Sequence, residues 1–229
     1  MSFIVIEGLD GSGKSSQLEL LIDYYKNRGI NVEYLHFPTT KSEIFGDLIA
    51  RFLSGDFGSI DNVNPYLVSL LFAGDRYNLS DTINKWMQEG KTVITDRYVF
   101  SNIAFQCAKL KSLEEKEKLA DWIFKLEYEY FKIPKPDLSI FLNVPFDFVK
   151  NNLSRRRIEN NREYLAGKDD IHEINFDFQE EVYKMYKYSV NKYPNFISID
   201  CFDNNNLIMD VNKISEKIIS ATNSLITKT

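Results

Sequence analysis

A glycine-rich segment near the start of the chain constrains its fold more than any other feature. Residues 8–15 read Gly-Leu-Asp-Gly-Ser-Gly-Lys-Ser and match the pattern G-x-x-x-x-G-K-S at every fixed position. The segment follows a short apolar run, Ser2–Ile6, and precedes apolar residues at helical spacing from Leu18 to Tyr25. In such a strand-loop-helix unit, backbone N–H groups of the loop and of the first helical turn surround an anion. The pattern predicts a phosphate-binding loop, with an ordinary glycine-rich turn as the alternative.

The rest of the chain alternates short apolar runs with amphipathic stretches. Strands are predicted over Ser2–Ile6, Asn31–His36, Thr92–Thr95, Leu138–Val144 and Phe196–Asp200. Helices are predicted from Ser15 to Gly29, from Pro145 onward, over much of 101–131, and over Ile44–Leu53, Pro65–Gln88, Glu173–Tyr193 and Leu207–Ile226. This alternation predicts a single α/β domain over residues 1–229, in which helices cover both faces of a five-stranded parallel sheet. Ligands bind such sheets at the carboxyl ends of the strands.

Composition and charge exclude several classes of protein. The 229 residues include 28 Lys and Arg against 33 Asp and Glu, so the net charge of −5 lacks the basic footprint of a nucleic-acid-binding protein. Two cysteines are too few for a disulfide scaffold, and the two histidines lack the neighbours of a zinc site. No apolar run approaches the ~20 residues of a membrane helix, and no signal segment is visible. We expect a cytoplasmic protein that binds neither membrane nor nucleic acid.

Side chains in and near the loop are candidates for phosphate chemistry. Lys14 can bridge the β- and γ-phosphates of a nucleotide, and the Ser15 hydroxyl can bind Mg²⁺. Asp96 ends a predicted strand, where its carboxylate can join the Mg²⁺ site or cap the next helix. Arg97 follows directly, and its guanidinium suits bidentate binding of a second phosphate, with a surface ion pair as the alternative.

Half of the eight arginines fall between residues 155 and 162, inside a polar and poorly periodic segment, 154–170. Phosphoryl transfer requires positive charge on the migrating group and exclusion of water. A mobile segment that carries arginines and closes over the phosphates meets both needs, so Arg155 and Arg156 are candidate catalytic residues. The alternative is a solvated basic helix face.

Aromatic and amide side chains elsewhere suit a nucleotide base. Phe72 precedes Arg76 by four residues in a predicted helix, so its ring could stack on a base while the arginine donates to a carbonyl. Ser101, Asn102 and Gln106 follow Asp96 and offer hydroxyl and amide groups to a base edge. For Phe72, burial in the core is the alternative.

Together these residues resemble those of the thymidylate kinases, a family of P-loop nucleoside monophosphate kinases. The resemblance runs from Phe3 to the final helix and is carried by Phe3–Ser15, Phe37-Pro38, Phe72-Ala73-x-Asp75-Arg76, Asp96-Arg97-Tyr98-x-x-Ser101, Ala104-Phe105-Gln106, Pro136-Asp137-Leu138, Leu142-x-Val144-Pro145 and Asp170-x-x-Glu173. It implies a P-loop NTPase fold and phosphoryl transfer from ATP to dTMP with Mg²⁺, a step of dTTP biosynthesis. It also implies a lid over 154–170 and a homodimer formed through Pro65–Gln88 and 112–131.

The same resemblance assigns roles to individual residues. ATP would be bound by Gly8, Leu9, Asp10, Gly11, Ser12, Gly13, Lys14, Ser15 and Ser16, and Mg²⁺ by Ser15 and Asp96. The substrate dTMP would contact Phe37, Pro38, Phe72, Arg76, Arg97, Ser101, Asn102, Phe105 and Gln106. Phe72 would stack on thymine, Arg76 would reach its O4, Asn102 would bind the other edge, and Phe105 would crowd the ribose 2′ position. The catalytic residues implied are Lys14, Asp10, Arg97, Arg155 and Arg156.

The chain departs from the family pattern at a few positions. Gly11 stands where some members have an arginine, so the catalytic arginine is expected from the lid. Thr39-Thr40 and Phe105 replace residues common in the family, which leaves the strictness for dTMP open. Two other functions remain open on the sequence: another nucleoside or deoxynucleoside monophosphate kinase, and a nucleotide-dependent regulatory switch.

Overall fold

Five parallel strands form the sheet of this protein, as the sequence predicts. The computed structural model describes residues 2–40, 42–60, 62–154, 172 and 175–226, and residues 155–159 by their backbone. The strands are β1 (Phe3–Glu7), β2 (Val32–His36), β3 (Thr92–Asp96), β4 (Leu138–Asn143) and β5 (Phe196–Asp200). They lie in the order β2-β3-β1-β4-β5.

Strand β1 occupies the centre of the sheet, where all five of its residues are buried. Four of its side chains are apolar, and the fifth, that of Glu7, is hydrogen-bonded within the protein. On one side Ile6 lies opposite Asp96 of β3, and on the other Glu7 lies opposite Phe141 of β4. The chain leaves β1 towards β2 on one side, whereas β4 lies on the other. This divergence opens a crevice at the carboxyl end of β1, the usual place for a ligand in an open α/β sheet.

Helices cover the two faces of the sheet. Their bounds are α1 (Lys14–Lys26), α2 (Phe45–Leu53), α3 (Pro65–Asn78), α4 (Ser80–Gln88), α5 (Val99–Cys107), α6 (Leu113–Phe124), a π-helical turn (Lys125–Tyr130), α7 (Phe146–Glu159), α8 (Phe176–Lys192) and α9 (Val211–Ile226). The main core lies between these helices and the sheet, and a second small cluster joins α2 to α3 through Ile49, Phe52 and Val68. Across the part of the chain that the structure describes, each helix is too short or too polar to cross a membrane.

The prediction of one helix over Pro65–Gln88 is wrong, because the stretch forms α3 and α4. At Leu79 the backbone leaves helical geometry, with φ −105° and ψ 2°. The Ser80 hydroxyl donates to the carbonyl oxygen of Tyr77 over 2.7 Å. A serine hydroxyl bonded to the nearby backbone favours the end of a helix over its continuation.

Two further predicted segments differ in detail. Much of 101–131 is helical, but it is divided where Ser112 and Glu115 form a capping box that starts α6. Of the segment predicted to be mobile, 154–170, residues 154–159 complete α7, and residues 160–170 lie outside the described part of the chain. The thiols of Cys107 and Cys201 are buried and unoxidised, and burial raises the pKa of each to about 12.

Candidate active site

The glycine-rich loop connects β1 to α1 and leaves the first turn of α1 open to an anion. Gly11 and Gly13 adopt φ values of +76° and +85°, in the left-handed region where a side chain would be strained. Gly13 caps α1 without a side-chain hydrogen bond. The first N–H groups of the helix are thus available to a ligand, as in phosphate-binding loops.

Lys14 lies folded back against this loop. Its ammonium donates to the carbonyl oxygens of Gly8 at 3.2 Å and Leu9 at 2.9 Å, and the residue is 6% exposed. Burial and the nearby positive charge of Arg97 lower the pKa of Lys14 to about 8, against the opposing effect of nearby carboxylates. The ammonium is therefore poised to exchange carbonyl contacts for an anionic ligand.

Asp96 ends β3 beside Lys14 and keeps one carboxylate oxygen without a hydrogen-bond partner. Its Oδ2 lies 3.1 Å from His36 Nδ1, whereas the buried Oδ1 has no partner among the described residues. Burial alone would raise the pKa of Asp96, but Lys14, the His36 hydrogen bond and Arg97 together lower it. Ser15 lines the same cavity, so a carboxylate and a hydroxyl are available to a hard cation there.

Arg97 is held in one orientation by three side chains. Its Nη2 donates to Asp10 at 2.7 Å, and its Nη1 donates to Ser101 Oγ at 3.0 Å and Tyr186 Oη at 3.4 Å. The residue has a φ of +67°, a strained value for a non-glycine residue that is typical of functional sites. Burial opposes its charge, but Asp10 and the other neighbours raise the pKa of Arg97 above its ordinary value.

Glu7, which the sequence analysis treated only as the end of a strand, binds two of the side chains that hold Arg97, those of Ser101 and Tyr186. One carboxylate oxygen accepts the backbone N–H groups of Tyr98 and Ser101, at 2.8 and 3.1 Å. The other accepts the hydroxyls of Ser101 and Tyr186, at 2.5 and 3.1 Å. Burial raises the pKa of Glu7 despite these bonds. The only sequence signal was a carboxylate that continues an apolar strand.

The far end of the cavity is lined by Phe72, Arg76, Asn102 and Phe105. Phe72 is partly buried and meets Phe52 edge-on at 6.4 Å. Arg76 makes a bidentate ion pair with Glu127, with Nε–Oε2 of 2.5 Å and Nη2–Oε1 of 2.7 Å. The position of Glu127 could have been found in the sequence, because it continues the buried face of α6 that Leu119 and Ile123 form at four-residue spacing.

His172 closes one wall of the cavity among aromatic rings. Its ring lies 5.1 Å from that of Phe105 and 5.4 Å from that of Phe178, centroid to centroid. Burial, together with Lys109, holds the pKa of His172 well below its usual value, so the imidazole is neutral. The sequence offered no metal-ligand spacing for this residue, and the structure places it in the cavity wall.

The loop after the cis Phe37–Pro38 bond is fastened to α3 by one carboxylate. Asp75 accepts the backbone N–H of Thr39 at 2.8 Å and also the Thr39 hydroxyl. Thr39 is therefore committed to a structural bond, while Thr40 lines the cavity. These contacts hold Phe37 and Pro38 at the cavity wall.

A single cavity of about 350 Å³ brings most of the predicted site residues together. Its lining includes Asp10, Gly11, Ser12, Gly13, Lys14, Ser15, Phe37, Pro38, Phe72, Arg76, Asp96, Arg97, Ser101, Asn102, Phe105 and Gln106. Gly8, Leu9 and Ser16 lie outside this lining: Gly8 and Leu9 are buried, and Ser16 is exposed. The side chains of Arg155 and Arg156 lie outside the described part of the chain. Residues that the sequence did not indicate for the lining are His36, Thr40, Leu53 and His172.

The arrangement can hold two phosphate groups side by side next to an aromatic slot. Lys14 and the start of α1 form one anion site, and Arg97 forms the second, close enough to lower the pKa of Lys14. Asn102 and Gln106 also line this cavity, and the buried side-chain oxygen of each has no hydrogen-bond partner among the described residues. No group of three metal-ligating side chains occurs among the described residues, so a cation here would need ligand oxygens or water as well.

Comparisons with known proteins all match this chain to thymidylate kinases. A family model described as thymidylate kinase matches residues 6–211. A probable thymidylate kinase from Thermococcus kodakarensis is 31% identical over 229 residues, which cover 98% of each chain. The thymidylate kinase of Plasmodium falciparum is 28% identical over 217 residues, 93% of this chain and 90% of that one. The solved structure of a thymidylate kinase from Candida albicans has a similar fold, with a TM-score of 0.70, 23% identity, and coverage of 97% of this chain and 91% of its own.

Proposed function

The chain belongs to the thymidylate kinase family, and we propose on that premise that it transfers the γ-phosphoryl group of ATP to dTMP, giving dTDP and ADP. The observation that carries this proposal is Arg97. A switch or a hydrolase needs one nucleotide site, whereas this cavity presents a second buried cation, fixed by Asp10, Ser101 and Tyr186, beside the phosphate loop. A bidentate guanidinium in this place suits the phosphate of an acceptor nucleotide.

In this proposal the two nucleotides meet between Lys14 and Arg97. The β- and γ-phosphates of ATP lie on the loop, where Lys14 releases the carbonyls of Gly8 and Leu9 to contact them. Arg97 holds the phosphate of dTMP in place for the reaction. An oxygen of that phosphate attacks the γ-phosphorus of ATP, and the bond between the γ-phosphorus and the bridging oxygen of the β-phosphate breaks. The largest contribution of the protein is positioning and charge, because phosphoryl transfer needs little covalent chemistry from side chains.

The residues present fit a magnesium ion bound with ATP. Asp96 Oδ1 is buried and has no hydrogen-bond partner within the described part of the chain, and Ser15 lines the same cavity. Mg²⁺ is bound in proteins by one or two carboxylates together with substrate phosphates and water, which matches this sparse donor set. When bound, the ion would neutralise phosphate charge during transfer.

The lid arginines remain a prediction. Arg155 and Arg156 belong to α7, which contacts the loop: Asn152 Nδ2 donates to the Gly11 carbonyl oxygen at 2.8 Å. A Cβ atom at Gly11 would meet Asn152 Cβ at 3.2 Å, so α7 or the loop would have to shift to admit the arginine found there in some members of the family. This supports the proposal that α7 and the residues after it supply the guanidinium for the migrating group.

Thymine would occupy the aromatic slot. Phe72 would stack on the base, Arg76 and Asn102 would meet its edge, and Phe105 would stand against the sugar. Phe105 itself is fixed by His172 and by the Arg97 guanidinium, which lies 5.1 Å over its ring. A buried aromatic wall next to the sugar disfavours an additional 2′-hydroxyl.

A coupled ADP-release assay over dTMP, dUMP, dCMP, dGMP, UMP and thymidine tests the proposal. We expect dTMP to give the highest kcat/KM, and thymidine to give no turnover because it brings no phosphate to Arg97. An Arg97→Lys variant should lose most of its activity with dTMP while its KM for ATP changes little. Preference for another monophosphate would contradict the proposed substrate, and ADP release that ignores all acceptors would contradict the transferase itself.

A further inference from the structure

Three buried polar side chains meet where the edge of a base would lie. Arg76 is 2% exposed and Glu127 is fully buried, and the two form the bidentate pair described above. Asn102, also 2% exposed, donates from Nδ2 to Glu127 Oε1 at 3.0 Å and to the Ser69 carbonyl oxygen at 3.1 Å. Arg76 and Asn102 line the cavity, whereas Glu127 lies behind them in the π-helical turn.

The orientation of the Asn102 amide follows from its neighbours. A carboxylate oxygen and a backbone carbonyl oxygen can only accept hydrogen bonds, so the group that points at both must be the NH₂. The Oδ1 atom must then occupy the opposite position, and it is buried without a hydrogen-bond partner among the described residues. The bonds to Glu127 and to the Ser69 carbonyl oxygen therefore leave Asn102, a residue of the cavity lining, with an unpaired acceptor, while Arg76 can act only as a donor.

This pair of groups has a definite complement. A pyrimidine with a carbonyl at C4 presents an acceptor at O4 and a donor at N3–H, which match Arg76 and Asn102. Cytosine presents an amino donor at C4 and an acceptor at N3, so both contacts would be reversed. A site whose buried polar groups are matched rejects an analogue that leaves them unpaired, because an unsatisfied buried group is costly.

We infer that Glu127 is the positioning residue that sets the choice between 4-oxo and 4-amino pyrimidines, by fixing the hydrogen-bonding polarity of Arg76 and Asn102. The inference rests on the proposed function, since it assigns the selectivity of the same site. Glu127 touches no substrate, so its effect is indirect. Its charge also matters, because the pair with Glu127 raises the pKa of Arg76 although burial opposes this.

Glu127→Gln tests the inference. A glutamine can present either an NH₂ or an oxygen to Asn102, so one of the two acceptors that hold the Asn102 amide in its orientation is lost and only the Ser69 carbonyl oxygen still favours it. We expect the ratio of kcat/KM for dTMP over dCMP to fall about tenfold or more, the worth of one or two buried hydrogen bonds. The ratio for dTMP over dUMP should stay as in the unmodified protein, because these bases share the same edge. The KM for ATP should not change.

Glu129→Gln is the matched control, since this glutamate is exposed in the same π-helical turn. This variant should leave unchanged the selectivity for dTMP over dCMP, the selectivity for dTMP over dUMP and the KM for ATP. If folded Glu127→Gln keeps the selectivity of the unmodified protein for dTMP over dCMP, the glutamate is a structural ion pair only and the inference is overturned.

Loss of a buried carboxylate can unfold a protein, so Glu127→Asp serves as a second variant. It keeps the charge beside Arg76 but shortens the side chain, so it should also narrow the selectivity, and unchanged selectivity would again overturn the inference. Failure of the proposed function would be visible separately, in the unmodified protein, as an absence of dTMP preference before any variant is made.

Discussion

At the scale of a single residue, Lys14 has a charge that depends on pH in the range where the enzyme can be assayed. In the unliganded protein, burial and Arg97 lower its pKa to about 8. The protonated form, which binds phosphate, predominates below that pH and is lost above it. We expect kcat/KM for ATP to fall progressively above about pH 8, because this parameter reports the free enzyme.

The kcat at saturating ATP should hold to a higher pH, because bound phosphates favour the charged ammonium. Initial rates between pH 6.5 and 10 separate the two parameters. A kcat/KM for ATP that stays level to pH 9.5 would show that the pKa of Lys14 is not lowered in the free protein.

Phe72 carries the prediction for the base. Its ring is only partly buried and lines the cavity, so we expect Phe72→Ala to remove stacking that is present in the bound ground state. Stacking on an aromatic ring contributes roughly 1–3 kcal/mol per base, so the KM for dTMP should rise about tenfold or more while the KM for ATP stays the same. Phe57→Ala, at an exposed ring outside the cavity, is the control. An altered Tm with unchanged KM would assign the Phe72 ring to the core.

At the scale of elements, substitutions at two glycines can distinguish the effect of the contact between the phosphate loop and α7 from the effect of backbone strain. Gly11 and Gly29 have nearly the same φ, +76° and +75°. A methyl group at Gly11 meets Asn152 Cβ at 3.2 Å and the Val149 carbonyl oxygen at 3.4 Å, whereas at Gly29 nothing lies within 4 Å.

Gly29→Ala should therefore cost about 1–2 kcal/mol in the free energy of unfolding from backbone strain alone. Gly11→Ala should cost more and should also raise the KM for ATP, because α7 and the loop must move apart. Chemical unfolding and steady-state kinetics on both variants measure this. Equal effects of the two substitutions on stability and on KM would show that α7 does not support the loop.

The elements differ in how far the sequence specifies them. The strands follow from apolar runs with clear ends, and the observed bounds lie within two residues of the predicted ones. The end of α3 at Leu79 was missed because Ser80 and its neighbours keep a helical periodicity, while the decisive bond to Tyr77 is a local geometric detail. The phosphate loop was predictable because all its determinants lie within eight consecutive residues.

The paired carboxylates of the site were not predictable in the same way. Arg76 and Glu127 are 51 positions apart, and Glu7 and Tyr186 are 179 apart. Periodicity reports which face of an element is buried, but it does not report which buried polar groups meet across elements. The aromatic wall at His172 depends likewise on α2, α5 and α8 coming together.

At the scale of the whole molecule, α3 exposes apolar side chains along one stripe. Leu67, Leu70 and Tyr77 are 62%, 39% and 49% exposed, at positions that share a helical face. The family resemblance implies a homodimer through Pro65–Gln88 and 112–131, and on the strength of this stripe we propose that α3, in the first of these segments, forms part of the interface. Sedimentation should give twice the 26.7 kDa chain mass, and Leu67→Glu with Leu70→Glu should give the single-chain mass. Leu207→Glu, at an exposed leucine elsewhere, should leave the dimer intact. A monomer in the unmodified protein would contradict the proposal.

The most direct test of phosphoryl transfer follows the γ-phosphate itself. The protein is incubated with ATP labelled at the γ-phosphorus, with dTMP and Mg²⁺, and the labelled products are separated. If Arg97 and the phosphate loop hold two nucleotides together as proposed, the label appears in dTDP, in a one-to-one ratio with the ADP formed. Label found as inorganic phosphate, with dTMP unchanged, would contradict the account and would identify the cavity as the site of a hydrolysing switch.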